Sequence, residues 1–86
     1  MDGKEIKIMK IYGYKENSNE FVELSEASIE CTMDELKKIT KFFLEIYEQH
    51  KKTQGKTEYC HSHYRDWDED WNENGSDLIV ISTFDK

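Results

Sequence analysis

The chain has 86 residues, of which 36% are hydrophobic and 36% charged, and its 12 basic and 19 acidic residues give a formal net charge of −7. A chain of this length can build one small core, so we predict a single domain over residues 1–86. The acidic balance excludes the basic surface that a nucleic acid requires. It also disfavours membrane surfaces and favours a basic protein partner.

The first ten residues, MDGKEIKIMK, lack the apolar core of a secretory signal, and no stretch resembles a membrane-spanning helix. We therefore expect a cytoplasmic protein. In that compartment Cys31 and Cys60 are most simply reduced, buried, small apolar residues, and a disulfide between them is the less favoured alternative.

The N-terminal part has the alternation of apolar and polar residues that is typical of β-strands. Residues Glu5–Tyr14 alternate with one shift of phase, which indicates a strand with an irregularity near Gly13. The polar run Lys15–Glu20 has the composition of a turn, and Phe21–Cys31 then resumes a period of two. The pattern predicts two antiparallel strands with one apolar face that needs a cover.

A helix that can provide this cover follows at once. Thr32 and Glu35 have the spacing of a capping box, which predicts a helix that begins at Met33 and ends near His50. Apolar residues recur along it at intervals of three and four, and they form one stripe: Leu36, Ile39, Phe43, Ile46, Tyr47 and His50. We expect Phe43 to be a core residue of this stripe.

Two further strands are predicted after the helix. Glu58–Trp67 alternates aromatic and polar residues, and Leu78–Phe84 is the most β-prone run of the chain. The loop between them has its strongest turn signal at Asn74 and Gly75. The predicted fold is therefore α+β, a two-layer ββαββ domain with one helix packed on one face of a four-stranded sheet.

The stretch CHSHYRDW in the third predicted strand contains several residues that can bind a metal ion or take part in catalysis. Because side chains alternate along a strand, Cys60 and Ser62 share the side under the helix, and His61 and His63 share the open side. Two histidines on one face can ligate zinc, but a zinc site needs a third protein ligand that the spacing does not supply. Metal binding through His61 and His63 is therefore the alternative, not the leading prediction.

Calcium binding and catalysis are less favoured still. The segment Asp70–Gly75 matches the first half of an EF-hand loop, but the twelfth position, where a glutamate belongs, is Ile81. The sequence contains no nucleophile elbow, phosphate-binding loop or cofactor fingerprint. We therefore predict a non-catalytic protein without a cofactor.

The C-terminal third combines two alternate histidines with a later tryptophan, a serine and the start of an apolar strand: His61, His63, Trp71, Ser76, Leu78 and Ile79. In these residues it resembles the small immunity proteins of bacterial polymorphic toxin systems. The extra carboxylates at Asp66, Asp68, Glu69 and Asp70 depart from that pattern. The resemblance implies a bacterial protein that neutralises a cognate toxin by binding it.

The leading hypothesis is thus a protein–protein interaction domain with an acidic binding surface. Acidic side chains would orient a basic partner and an aromatic anchor would hold it. The candidate binding residues are His61, His63, Arg65, Asp66, Asp68, Glu69, Asp70 and Trp71. Self-association through the open sheet face, which would give a homodimer, is a further alternative.

Overall fold

A computed structural model describes residues 9–84 and confirms the α+β class. The elements in chain order are β1 Ile11–Tyr14, β2 Phe21–Leu24, α1 Met33–Thr53, β3 Tyr59–His63, α2 Tyr64–Trp67 and β4 Ile79–Thr83. The chain divides into two compact units, Met1–Glu30 and Cys31–Lys86, so the single domain stays a prediction. Within residues 9–84, no helix combines the length and apolar character that crossing a bilayer requires.

The described part of the first unit contains an antiparallel hairpin. β1 pairs with β2 in a register that places Tyr14 opposite Phe21. The ring of Phe21 contacts the rings of Tyr12 and Tyr14, with centroid distances of 5.1 and 5.0 Å. In the connecting turn Asn17 has a φ of 60°, a left-handed conformation that asparagine tolerates better than most residues. Cross-strand aromatic contacts thus stabilise this short ladder.

The two strands are shorter than predicted. β2 ends at Leu24, and residues 25–31 form no strand, although Ala27, Ile29 and Cys31 alternate with polar residues. Alternation determines which side chains share a face, but a strand also needs a partner for its backbone hydrogen bonds. The structure gives residues 25–31 no such partner within the described part of the chain. The predicted segment Glu5–Ile8 lies outside the described residues.

Helix α1 opens the second unit and begins as predicted. The hydroxyl of Thr32 accepts the backbone N–H of Glu35 at 3.1 Å, and the Glu35 carboxylate accepts the backbone N–H of Thr32 at 2.7 Å. This reciprocal capping box satisfies backbone donors of the first turn. The helix ends at Thr53, beyond the expected His50. Gly55, two residues after the helix, has a φ of 89°. That positive φ favours glycine over other residues.

The buried stripe of α1 differs from the predicted one. Phe42 has no exposed surface and Ile46 is 4% exposed, whereas Phe43 is 44% exposed. The prediction that Phe43 is a core residue was therefore wrong. Both phenylalanines fit a spacing of three and four from Ile39, so helical periodicity does not separate them. Phe42 is the buried one because its ring packs against the rings of Tyr64 and Trp67, at centroid distances of 5.2 and 5.5 Å.

The remaining elements do not form a four-stranded sheet, so the predicted ββαββ order was wrong. β3 pairs with β4 in a sheet separate from that of β1 and β2. The chain leaves β3 after His63 and forms the short helix α2 where strand was predicted. The Asp77 carboxylate accepts the backbone N–H of Arg65 at 2.9 Å in the first turn of α2. A carboxylate distant in sequence therefore caps this turn, which local alternation does not reveal.

Candidate functional site

The β3–β4 sheet has one face under α1 and one open face, as the alternation of β3 predicted. On the covered side, the Ser62 hydroxyl lies 2.9 Å from Nε2 of His50, and the Thr53 hydroxyl lies 3.3 Å from Sγ of Cys60. The register places His61 opposite Ile81 and His63 opposite Ile79 on the other face. The two histidines therefore share the open face with apolar residues of β4.

Large apolar side chains are exposed on this open face. Tyr59 is 58% exposed, Ile81 57% and Ile79 46%. The rings of His61 and His63 lie edge to face, with their centroids 5.6 Å apart. A face that mixes aliphatic, aromatic and imidazole groups is suited to burial against another molecule.

His63 is oriented by a carboxylate. Its Nδ1 lies 2.7 Å from Oδ2 of Asp77, while Oδ1 of Asp77 accepts the backbone N–H of Arg65. Burial acts to raise the pKa of Asp77, but hydrogen bonds from His63 and from the backbone of Arg65 and Leu78 outweigh it and lower the pKa. Asp77, which the sequence did not single out, thus links β3, α2 and the start of β4.

For metal binding, the structure provides a carboxylate that could orient His63 but, among residues 9–84, no third ligand. A histidine that ligates a metal commonly donates its other ring N–H to a carboxylate, as His63 can to Asp77. Among residues 9–84, however, no group of three or more His, Cys, Asp or Glu side chains has an arrangement that could hold a metal ion. His61 and His63 alone are fewer ligands than a zinc site needs.

The acidic residues of the candidate surface fall into two classes. Nζ of Lys38 lies 3.2 Å from Oδ1 of Asp68 and 3.3 Å from Oδ2 of Asp70, so these carboxylates are paired within the chain. Burial acts to raise the pKa of Asp68, but the backbone N–H of Asp70 and the Lys38 ammonium outweigh it and lower the pKa. Asp66 and Glu69 are exposed and form no ion pair with other described residues.

Both tryptophans donate hydrogen bonds that hold local structure. The Trp71 indole donates to the carbonyl of Ser76 at 3.2 Å, which closes the loop on itself. The Trp67 indole donates to the Glu45 carboxylate at 3.0 Å and so ties α2 to α1. Trp71 thus has the loop-fixing contact that a structural tryptophan makes, while part of its surface stays accessible.

A cleft of about 330 Å³ lies between α1, α2 and β3. The buried side chains of Phe42 and Ile46 form its floor, and Trp67 forms a wall. Its remaining lining residues are polar: Gln49, His61, Ser62, His63 and Asp66. Sequence reasoning missed this cleft, because it depends on α2 turning back over α1.

The imidazole of His50 is buried between α1 and the covered face of the sheet. His50 is 6% exposed, with Nδ1 2.6 Å from the Ser82 hydroxyl and Nε2 2.9 Å from the Ser62 hydroxyl. Burial, and secondarily the proximity of His61, lowers the pKa of His50. A hydroxyl on an imidazole is the start of a nucleophilic site, but here the second nitrogen meets a serine in place of the carboxylate that stabilises an imidazolium. The arrangement is better explained as hydrogen bonding that satisfies a buried polar group.

No protein-family model matches the chain, and comparisons with curated proteins and with solved structures find no match either. The resemblance to immunity proteins therefore stays a prediction.

Proposed function

We propose that the chain is a non-catalytic protein-binding domain that recognises a basic protein through the open face of the β3–β4 sheet. The observation that supports this most directly is the exposure of Tyr59, Ile79 and Ile81 on one face of a sheet whose other face is covered. Exposed apolar side chains that are grouped, not scattered, commonly mark an interaction surface.

The open face can gain binding free energy by burying its apolar side chains against a partner. Burial of apolar surface contributes about 25 cal/mol per Å², and tyrosine is among the residues that concentrate binding energy. Tyr59 supplies an aromatic anchor at one end of the face, and the two isoleucines supply apolar area beside the histidines. Such a surface can hold a partner by excluding water.

The negative charge of the chain favours a basic partner. The chain carries a formal net charge of −7, and Asp66 and Glu69 add exposed carboxylates in the segment that follows β3. Carboxylates around an apolar patch accelerate association with a basic protein and orient it on approach. Lys38 carries one positive charge against the two carboxylates of Asp68 and Asp70, so this cluster adds net negative charge to that of Asp66 and Glu69.

In its specific form the proposal is toxin neutralisation. It is supported by the resemblance in the segment from His61 to Ile79. Coexpression with the products of neighbouring genes tests it. We expect one of these products to arrest growth alone, and growth to return when this chain is present.

A matched pair of variants connects that test to the open face. Replacing Tyr59 and Ile81 with alanine should weaken the complex by about 2 kcal/mol or more, which is roughly 30-fold in Kd. Leu44→Ala is the control, because Leu44 is 64% exposed but lies on α1. If both variants bind the partner equally well in calorimetry, the open face is not the binding surface.

A further inference from the structure

The outer edge of β3 has backbone groups that no strand uses. The N–H of Tyr64 donates to the carbonyl of Leu78, and the N–H of Phe84 donates to the carbonyl of Glu58. These two bonds show which residues of β3 direct their backbone groups toward β4. In an antiparallel pair, every second residue directs its N–H and C=O away from the partner strand. On β3 these outward residues are Tyr59, His61 and His63. Within residues 9–84 no strand pairs with this edge.

The cleft described above opens along the same edge. Consecutive residues His61, Ser62 and His63 line it, although their side chains alternate between the two faces. Residues whose side chains alternate between the two faces of a strand border one cavity when it runs beside the edge of that strand. A second open depression is lined by the consecutive residues 57–61, so it continues along β3 in the other direction. Neither depression is lined by β4.

We propose that the edge of β3 binds an extended segment of a basic protein by strand addition, with one lysine or arginine side chain of that segment in the cleft. This inference rests on the proposed function and specifies the form of its partner. Main-chain hydrogen bonds supply affinity in this mode, and the pockets for alternate side chains supply specificity.

The strand geometry determines which side chain enters the cleft. The added strand would bond to the N–H and C=O of His61 and to the N–H of His63, because the carbonyl of His63, the N-cap residue of α2, belongs to the first turn of that helix. The residue of the added strand between those bonds lies beside Ser62 and points to the same side of the sheet, toward α1. That side contains the buried floor of Phe42 and Ile46.

The lining of the cleft favours a basic side chain. The aliphatic stem of lysine or arginine can pack on the apolar floor while its charge remains near water. Trp67 lines the cleft, and an indole ring attracts cations. Asp66 adds an exposed carboxylate that forms no ion pair with a described residue. An acidic side chain would meet Asp66 and find no lysine or arginine among the lining residues.

The experiment is selection from a display library of random linear peptides on the purified chain, followed by NMR with the selected peptides. We expect peptides with a basic residue amid β-branched residues. Their binding should slow hydrogen exchange at the amides of Tyr59, His61 and His63. Replacing the basic residue with glutamate should weaken binding at least about tenfold, and N-methylation of the peptide backbone should abolish it.

Variants of the chain locate the charge contact. Asp66→Asn should remove the preference for a basic over a neutral peptide side chain, whereas Glu48→Gln, an equal change of charge on the exposed side of α1, should not. Amide protection on β4, selection of acidic peptides, or no selected binder would overturn the inference. So would a homodimer that protects the same amides, since the occupant would then be a second copy.

The outcomes also separate this inference from the proposed function. Suppose that a neighbouring gene product binds less tightly when Tyr59 and Ile81 are replaced but equally well to Asp66→Asn. That result would support the proposed binding function and refute strand addition at the cleft. Absence of any protein partner would refute the function even if selected peptides bind.

Discussion

Phe42 is the residue on which the small core of the second unit depends. It is fully buried, and its ring contacts the rings of Tyr64 and Trp67 from α2. Its neighbour Phe43 has the same chemistry and nearly the same place in the helical pattern, but it is 44% exposed. The two residues therefore form a natural comparison.

Phe42→Ala should lower the free energy of unfolding by about 3–5 kcal/mol, because it removes buried surface and leaves a cavity. Phe43→Ala should cost much less, about 1 kcal/mol, since much of that ring is in water. Urea denaturation measures both. Equal costs would show that the helix face has been placed wrongly.

His50 is the second residue with a testable energetic role. Its pKa is lowered in the folded chain by burial, so the unfolded chain, with an ordinary value near 6.5, binds the proton more tightly. Both serine hydroxyls can accept from an imidazolium, so the penalty for protonation is desolvation and not a lost hydrogen bond. The contribution of His50 to stability is complete above pH of about 6.5 and declines as the pH falls toward the lowered folded pKa.

Denaturant melts between about pH 7 and 5 should therefore show decreasing stability, and His50→Gln should flatten this dependence. Asp68 and Asp77 also have lowered pKa values, but their contributions are lost only at more acidic pH, as the carboxylates protonate. An unchanged slope in His50→Gln would assign the dependence to other groups.

At the scale of elements, the short helix α2 is held by contacts from outside itself. Asp77 accepts the backbone N–H of Arg65 and bonds to His63, while the Trp67 indole donates to Glu45 on α1. A helix of four residues has little stability of its own, since helix nucleation is costly. Its position, and the cleft beside it, therefore depend on these contacts.

Asp77→Ala should destabilise the chain by about 1–3 kcal/mol, because it leaves a partly buried histidine and a backbone N–H without their acceptor. It should also shift the indole resonance of Trp67 in NMR spectra, as α2 loosens. Asp34→Ala is the comparison, since Asp34 is exposed in the first turn of α1. A fluorescence or NMR signature of Trp67 that stays the same in Asp77→Ala would contradict this role.

For the whole molecule, the net charge of −7 affects the rate of association with charged partners more than it affects folding. Once a partner is in hand, neutralising Asp66 and Glu69 together should slow association and reduce its dependence on salt. Stopped-flow kinetics at several ionic strengths measures this effect. Neutralising Glu16 and Glu20 in the hairpin turn is the control. An equal effect on the association rate there would show that the net charge, and not a localised acidic surface, speeds association.

The sequence alone determined the features that depend on neighbours along the chain. The capping box of Thr32 and Glu35 and the alternation that places Ser62 under the helix both follow from local geometry. Strand propensity also located β3 and β4 to within a few residues. These features need no knowledge of distant partners.

Only the tertiary structure decided the features that depend on distant contacts. The choice of Phe42 over Phe43, the capping of α2 by Asp77 and the pairing of Lys38 with Asp68 and Asp70 each join residues far apart in sequence. The separation of the strands into two sheets has the same origin, since alternation specifies a face and not a partner strand. The cleft at the edge of β3 exists because α2 turns back over α1, and no local pattern encodes that turn.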